Sequence, residues 1–428
     1  MTDRWLDEIV AAHRAGETPG MTSICSAHPM VVDQSMRRAA AAGTRVLLEA
    51  TCNQVNQDGG YTGMTPADFR TQVLAVAERV GLPTERLLLG GDHLGPNPWR
   101  HLPAEDAMAR AEVLVAAFAS SGFTKLHLDT SMRCADDPSG PLHPAVVAER
   151  AARLAGVADS SAGERAVELR YVIGTEVPVP GGEASGRHGV HVSDPADIAE
   201  TVDVSRRAFV AAGLDQAWAR VRAIVAQPGV EFSNEELFGY RAGQAAHLYE
   251  SLPSTAPVVF EAHSTDYQDR DALRALVRDH FAILKVGPGL TFAFREAVFG
   301  LAEIESQLLG DAGSQIRAVL DRAMVDDPQH WVAFYPQDPH AAAVARRYSR
   351  SDRSRYYWPV ATVEAALDNM TGNLTGTGIP DELASQHLSW LEATEPPGVN
   401  MEHLTVERVL RASVDRVLDA YDAATSAN

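Results

Sequence analysis

Short apolar runs alternate along the chain with alanine-rich amphipathic stretches, and most runs finish on a polar or ionisable residue. TSICSAH (22–28), RVLLEAT (45–51), RLLLGGD (86–92), KLHLD (125–129), LRYVIGTE (169–176), RAIVAQ (222–227), PVVFEAH (257–263) and FAILKVG (281–287) are mostly apolar on both faces, the pattern of buried parallel strands. Stretches between them, such as VVDQSMRRAAAAG and EDAMARAEVLVAAFASSG, have glycine near the helix stop, which predicts a repeated β-then-α alternation. Eight runs predict an α/β fold of the (β/α)8 TIM-barrel type rather than a doubly wound open sheet. The polar run ends are Cys25 and His28, Glu49 and Asn53, Asp92 and His93, Asp129, Glu176, Gln227, Glu261 and His263, and Lys285. In a barrel they meet at one mouth, since barrel enzymes build their sites at the carboxyl ends of the strands.

Flanking segments read differently. Residues 1–20 place Trp5, Leu6, Ile9, Val10 and His13 on one helical face, a lead-in helix without the basic start and continuous apolar stretch of a secretory signal. The barrel is expected over 21–300. Residues 301–428 hold segments such as DAGSQIRAVLDRAMVDD and VERVLRASVDRVLDAYDAA with no clear strand among them, and predict a helical C-terminal extension.

Composition narrows the function classes. A net charge of −20 repels polyphosphate backbones and anionic lipid, so nucleic acid and membranes are poor partners, and no apolar run is long enough to span a bilayer. Cys25, Cys52 and Cys134 are an odd set with no paired spacing, which fits reduced thiols in a cytoplasmic protein. No GxxxxGK[ST] run is present, so a kinase-type phosphate loop is absent.

Several positions carry candidate chemistry. Asp92–His93 pairs a carboxylate suited to proton transfer with an imidazole suited to a divalent cation. Glu176 is a candidate ligand or base, with an ion pair to a neighbouring arginine as the plainer reading. Asp129 faces substrate or holds a ligand imidazole in its tautomer, and His127, on the same strand face, reads as a satisfied interior histidine. The amide-rich loop of Asn53, Gln54, Asn56 and Gln57 suits sugar hydroxyls. Lysine is scarce, only Lys125 and Lys285; Lys285 reads as a substrate-binding or structural cation, with an imine nucleophile as the alternative. Arg350, Arg353 and Arg355 crowd beside Tyr348, Tyr356, Tyr357 and Trp358, either as guanidinium forks for a phosphate or as arginines stacked on aromatics.

The segments EATCNQVNQDGGYTGM, GGDHLGPNPW, KLHLDTSM, GTEVPVPGGE, QPGVEF, EAHSTDYQ, DHFAILKVGP and SDRSRYYWP together resemble the GatZ/KbaZ family, named for the so-called non-catalytic subunit of class II tagatose-bisphosphate aldolase. The resemblance implies a barrel of the class II aldolase type and a divalent metal, zinc foremost and manganese or a similar ion next. It implies His93 and His263 as metal ligands, with Ser264 and Thr265 where those aldolases bind phosphate. The third aldolase histidine has no counterpart, because the matching stretch offers Gln227 or Glu231; Gln227 or Glu176 is the expected substitute. Glu261, Lys285, Gly287 and one of Arg353 or Arg355 complete the expected substrate contacts. The implied activity is interconversion of D-tagatose 6-phosphate and D-fructose 6-phosphate by metal-assisted retro-aldol chemistry. Alternatives are an accessory subunit for a separate class II aldolase chain, and a free-sugar D-tagatose/D-fructose 4-epimerase. Self-association into a homo-oligomer is left open.

Overall fold

The computed structural model describes residues 4–174, 190–252, 256–394 and 404–426. Among the described residues ten strands occur in chain order: β1 (Met21–Cys25), β2 (Val46–Thr51), β3 (Leu87–Leu94), β4 (Lys125–Leu128), β5 (Arg170–Ile173), β6 (Val221–Val225), β7 (Glu231–Phe232), β8 (Leu237–Phe238), β9 (Val259–Ala262) and β10 (Ile283–Val286). Eight of them close a parallel barrel in the order β1-β10-β9-β6-β5-β4-β3-β2, and β7 and β8 form a small antiparallel ribbon after β6. No helix among the described residues is long and apolar enough to cross a membrane.

Alternation along the strands splits the barrel interior into two levels. Met21, Leu47, Leu88, Val172, Ala223, Val225, Val259 and Ile283 form an apolar lower level, and the first helix, Trp5–Arg14, closes it from below with Leu6, Ile9 and Val10. Above it the inward positions turn polar: Glu49, Lys125, His127, Glu261 and Lys285 are all buried. Gly90 makes room for this level, since a Cβ there would meet Cγ of Glu49 at 2.6 Å.

The region beyond the barrel builds a second apolar core from Phe294, Leu301, Ile316, Leu320, Trp358, Val363 and their neighbours. Its last helix, Val406–Thr425, returns to the barrel. There the Tyr421 hydroxyl donates to the Thr265 carbonyl at 2.8 Å, and Gly20 N–H donates to the Thr425 carbonyl at 3.2 Å. The helix therefore braces the segment that follows β9, where His263 and Ser264 stand.

Candidate active site and metal centre

A regular strand points successive side chains to opposite faces, yet Asp92 and His93 both reach the barrel mouth. A bulge explains it: the β3–β4 register shifts between Gly91 and Leu94, and His93 takes φ 49°. Positive φ is uncommon outside glycine, and a bulge of this kind re-aims one side chain. Ser264, beside His263, is also left-handed at φ 55°. Gly95 is required by close packing, because a Cβ there would lie 1.7 Å from the Asp129 carbonyl.

Three imidazoles, His93, His127 and His263, meet pairwise with ring centroids 4.9 to 5.1 Å apart. Each is tethered by one nitrogen to a buried carboxylate: His93 Nδ1 to Asp129 at 2.8 Å, His127 Nδ1 to Asp92 at 2.8 Å and His263 Nε2 to Glu261 at 3.0 Å. An ionised carboxylate only accepts, so these nitrogens carry the protons, and in the neutral ring the opposite nitrogen keeps a lone pair. His127 Nε2 is buried with no hydrogen-bond partner. Carboxylate-tethered histidines with their other nitrogen free are how metal-binding imidazoles are oriented. Ligand atoms of Asp92, His93, His127 and His263 all lie within 4.8 Å of one another.

Charge supports the same fit. Lys125 Nζ lies 2.5 Å from Glu49 and 2.7 Å from Glu261; Lys285 Nζ lies 2.6 Å from Asp92, 2.9 Å from Glu49 and 3.3 Å from Glu261. With Asp129 the cluster holds four carboxylates against two ammonium groups, leaving two formal negative charges for a divalent cation to balance. Burial opposes ionisation of Asp92, but His93, Lys285 and His127 outweigh it and hold its carboxyl well below the usual range. Glu261 is likewise held low by Lys125, Lys285 and His263 against its burial. Burial works against a charge on His93 too, yet Asp92 and Asp129 push its pKa up. His263, by contrast, is pulled down to about 3 by burial, with Lys285 and the other two histidines adding to it.

The cluster opens into a cleft whose walls include Asn53, Asp92, His93, His263, Ser264, Lys285, Gly287, Arg355 and Tyr356. Several expected residues stand elsewhere. Gln227 does not join the histidines, because its Oε1 accepts from the Gly229 and Val230 amides at 2.8 and 3.0 Å and so closes its own loop. His127, expected as a satisfied interior side chain, occupies the place proposed for Gln227. Asp129 lies behind His93, holding that ring with one oxygen and Ser131 with the other. Glu261 sits under His263 and outside the cleft walls.

Thr265 is fully buried, its hydroxyl donating to the Lys285 carbonyl at 2.6 Å and lying 3.0 Å from the Tyr421 hydroxyl, so it offers nothing to a phosphate. Gly287 reaches the cleft, but its amide donates to Asp266 Oδ1 at 2.9 Å, as does that of Gly289 at 2.7 Å. Gln54 lines the wall with both ends of its amide bonded to backbone, at Cys25 O and Thr51 N. Arg355 lines the cleft and Arg353 does not. Glu176 lies outside the described residues. Lys125 and Asp266 were not singled out as site residues in the sequence, and Glu49 was read only as a polar run end, although Lys125, His127 and Asp129 alternate along the chain and so share a face.

Comparison with known proteins identifies the family. Residues 6–426 match the family described as D-tagatose-1,6-bisphosphate aldolase subunit GatZ/KbaZ-like. The chain is 50% identical over 385 residues, 90% of both chains, to the D-tagatose-1,6-bisphosphate aldolase subunit GatZ of Salmonella enteritidis PT4. It is 50% identical over 382 residues, 89% of this chain and 90% of the other, to that of Escherichia coli O1:K1 / APEC. The crystal structure of a probable tagatose 6 phosphate kinase from Sinorhizobium meliloti 1021 superposes with a TM-score of 0.85 at 48% identity, covering 95% of this chain and all of that one. Family match, identity and fold together place the chain in the GatZ/KbaZ-like family of D-tagatose-1,6-bisphosphate aldolase subunits.

Proposed function

We propose that this barrel carries its own chemistry and interconverts the C4 epimers of a ketohexose 6-phosphate, D-tagatose 6-phosphate and D-fructose 6-phosphate, by opening and remaking the C3–C4 bond. The observation that carries the reading is the set of three carboxylate-tethered imidazoles and Asp92 beside an open cleft. In this reading His93, His127 and His263 would hold a divalent ion, zinc before manganese, with Asp92 beside it. When bound, the ion supplies Lewis acidity toward a ketone carbonyl.

Asp92 Oδ1 is held by His127 and Lys285, which leaves Oδ2 for a sugar hydroxyl. Its depressed basicity is unsuited to removing an unactivated C4 hydrogen. It suits exchange of a proton with the C4 oxygen, which bond cleavage makes acidic and the reverse addition makes basic again. Asn53 on the cleft wall offers an amide to a hydroxyl, and Lys285 places a fixed positive charge beside the reacting oxygens. Rotation of the freed aldehyde before re-addition inverts C4.

The test is proton NMR of the zinc-loaded protein with D-tagatose 6-phosphate in deuterium oxide. Fructose 6-phosphate without deuterium at C4 is expected; deuterium at C4 overturns the bond-cleavage route, and no conversion overturns the epimerase. Free D-tagatose in a parallel sample tests whether phosphate is needed.

A second reading, in which the chain serves as accessory subunit to a separate aldolase, is favoured by the subunit names of its relatives. It predicts that His263→Ala supports the partner aldolase as well as the parent protein does. Loss of that support would tie the partner's activity to this barrel's own site.

A further inference from the structure

A second cavity adjoins the mouth and shares Asn53, Tyr61 and Tyr356 with the main cleft. We propose that this cavity, walled by Arg353 and Arg100, is the subsite for the phosphate of a sugar phosphate whose carbonyl end lies at the histidine cluster. The assignment rests on the substrate class proposed above and locates its recognition.

Arg353 carries the argument. It is 3% exposed, its guanidinium lies 3.1 Å from the centre of the Phe334 ring, and Nη1 donates to the His330 carbonyl at 3.0 Å. Nε and Nη2 make no hydrogen bond of good geometry; the polar group beside them is the Tyr356 hydroxyl, which already accepts from Arg355 Nη2 at 3.0 Å. No carboxylate among the described residues pairs with Arg353. Buried guanidinium groups are costly unless paired, and a buried donor without a partner calls for an explanation such as a bound ion. Two free N–H groups on one guanidinium are the fork that takes two oxygens of a phosphate.

Surroundings agree. Arg100 stands exposed at the rim, Asn97 and Gln329 add neutral amides, and none of the lining residues is acidic, in a chain whose net charge is −20. The competing place for an anion, the backbone amides of Gly287 and Gly289 at the start of the helix Pro288–Leu309, is already taken by the Asp266 carboxylate. A dianion added there would face Asp266 directly.

The experiment is calorimetric titration of the full chain with inorganic phosphate, D-tagatose 6-phosphate and D-tagatose, for the parent protein, R100Q and R353Q, with zinc affinity measured alongside. Each substitution is expected to weaken both phosphate probes about tenfold or more, the scale of a charge-assisted contact, while leaving D-tagatose and zinc unchanged. R100Q removes only an exposed side chain without an ion pair, so it reads the site even where R353Q fails to fold. Phosphate binding that is absent from the parent, or equal in parent and R100Q, overturns the proposal. Inorganic phosphate that binds without displacing D-tagatose 6-phosphate also overturns it, because the site would then serve a separate anion. Binding requires no turnover, so an inactive protein that still shows the tenfold losses would refute the epimerase while the subsite stands.

Discussion

Replacing Lys125 by methionine keeps most of its volume and deletes one buried charge. The side chain is 1% exposed, and Nζ lies within 2.7 Å of two carboxylates that are themselves fully buried. Removing one member of a buried ion pair costs about 3 to 5 kcal/mol. Lys285 still reaches both Glu49 and Glu261, which argues for the lower end, about 3 kcal/mol. At about 2.1 cal/mol/K per residue the unfolding entropy of 428 residues is roughly 0.9 kcal/mol/K, so the melting temperature should fall by about 3 °C. The variant cluster has three excess negative charges where the parent has two, so a divalent ion should bind it more tightly and restore more stability. Saturation at a hundredfold over Kd adds about 2.7 kcal/mol, and the rescue should exceed the parent's at equal zinc. Scanning calorimetry with and without zinc checks both statements. A loss under about 1 kcal/mol, the size of an ordinary point substitution, together with identical zinc responses would refute the electrostatic account.

Three further outcomes are expected. His127→Ala should lower zinc affinity at least about tenfold, as disturbed metal sites do, and unchanged affinity by competition with a chelator would return the third ligand to some other residue. Asp92, Cys25, Glu261 and Glu49 hold the Lys285 ammonium well above its usual range despite burial, so borohydride treatment with D-tagatose 6-phosphate should leave the Lys285 peptide mass unaltered; an adduct there would restore the imine alternative. At the barrel floor His13 Nε2 donates to the Pro19 carbonyl, so its Nδ1 accepts from His280 Nδ1 at 2.9 Å. Burial, aided by His13, lowers His280 from 6.5 to about 4, and burial lowers His13 as well. Because the folded values lie below the unfolded one, stability is full above about pH 6.5 and declines toward pH 4. His280 is only partly buried, so solvent screening reduces this contribution to about 1 kcal/mol; His280→Asn should flatten the profile in urea titrations, and a slope that persists would assign it elsewhere.

Barrel and mouth were legible because buried parallel strands leave continuous apolar runs and because a charge at a strand end has no structural motive. Asp92, His93 and His263 followed from that alone. Depth was not legible. Period two tells which face a residue shares, not how far along the barrel axis it lies, so Glu261 and Thr265 were expected in the cleft and stand below or behind it. The bulge at His93 depends on a left-handed conformation at a residue that is not glycine. His127 was hidden for a related reason: in KLHLD it reads as one interior position among apolar neighbours, and only the convergence of β3, β4 and β9 brings its free nitrogen beside the other rings.

Lys125 and Lys285 are the chain's only lysines, and both are buried, at 1% and 5% exposure. Every other basic side chain that carries a permanent charge is an arginine. The folded surface therefore presents no lysine amine to acylating reagents, crosslinkers or lysine-directed proteases, and enzymes that acetylate or conjugate lysine find no side-chain substrate on the native protein. Exposure of a reactive lysine thus reports the opening of the barrel itself, so amine labelling followed by mass spectrometry becomes a direct clock for unfolding of the site.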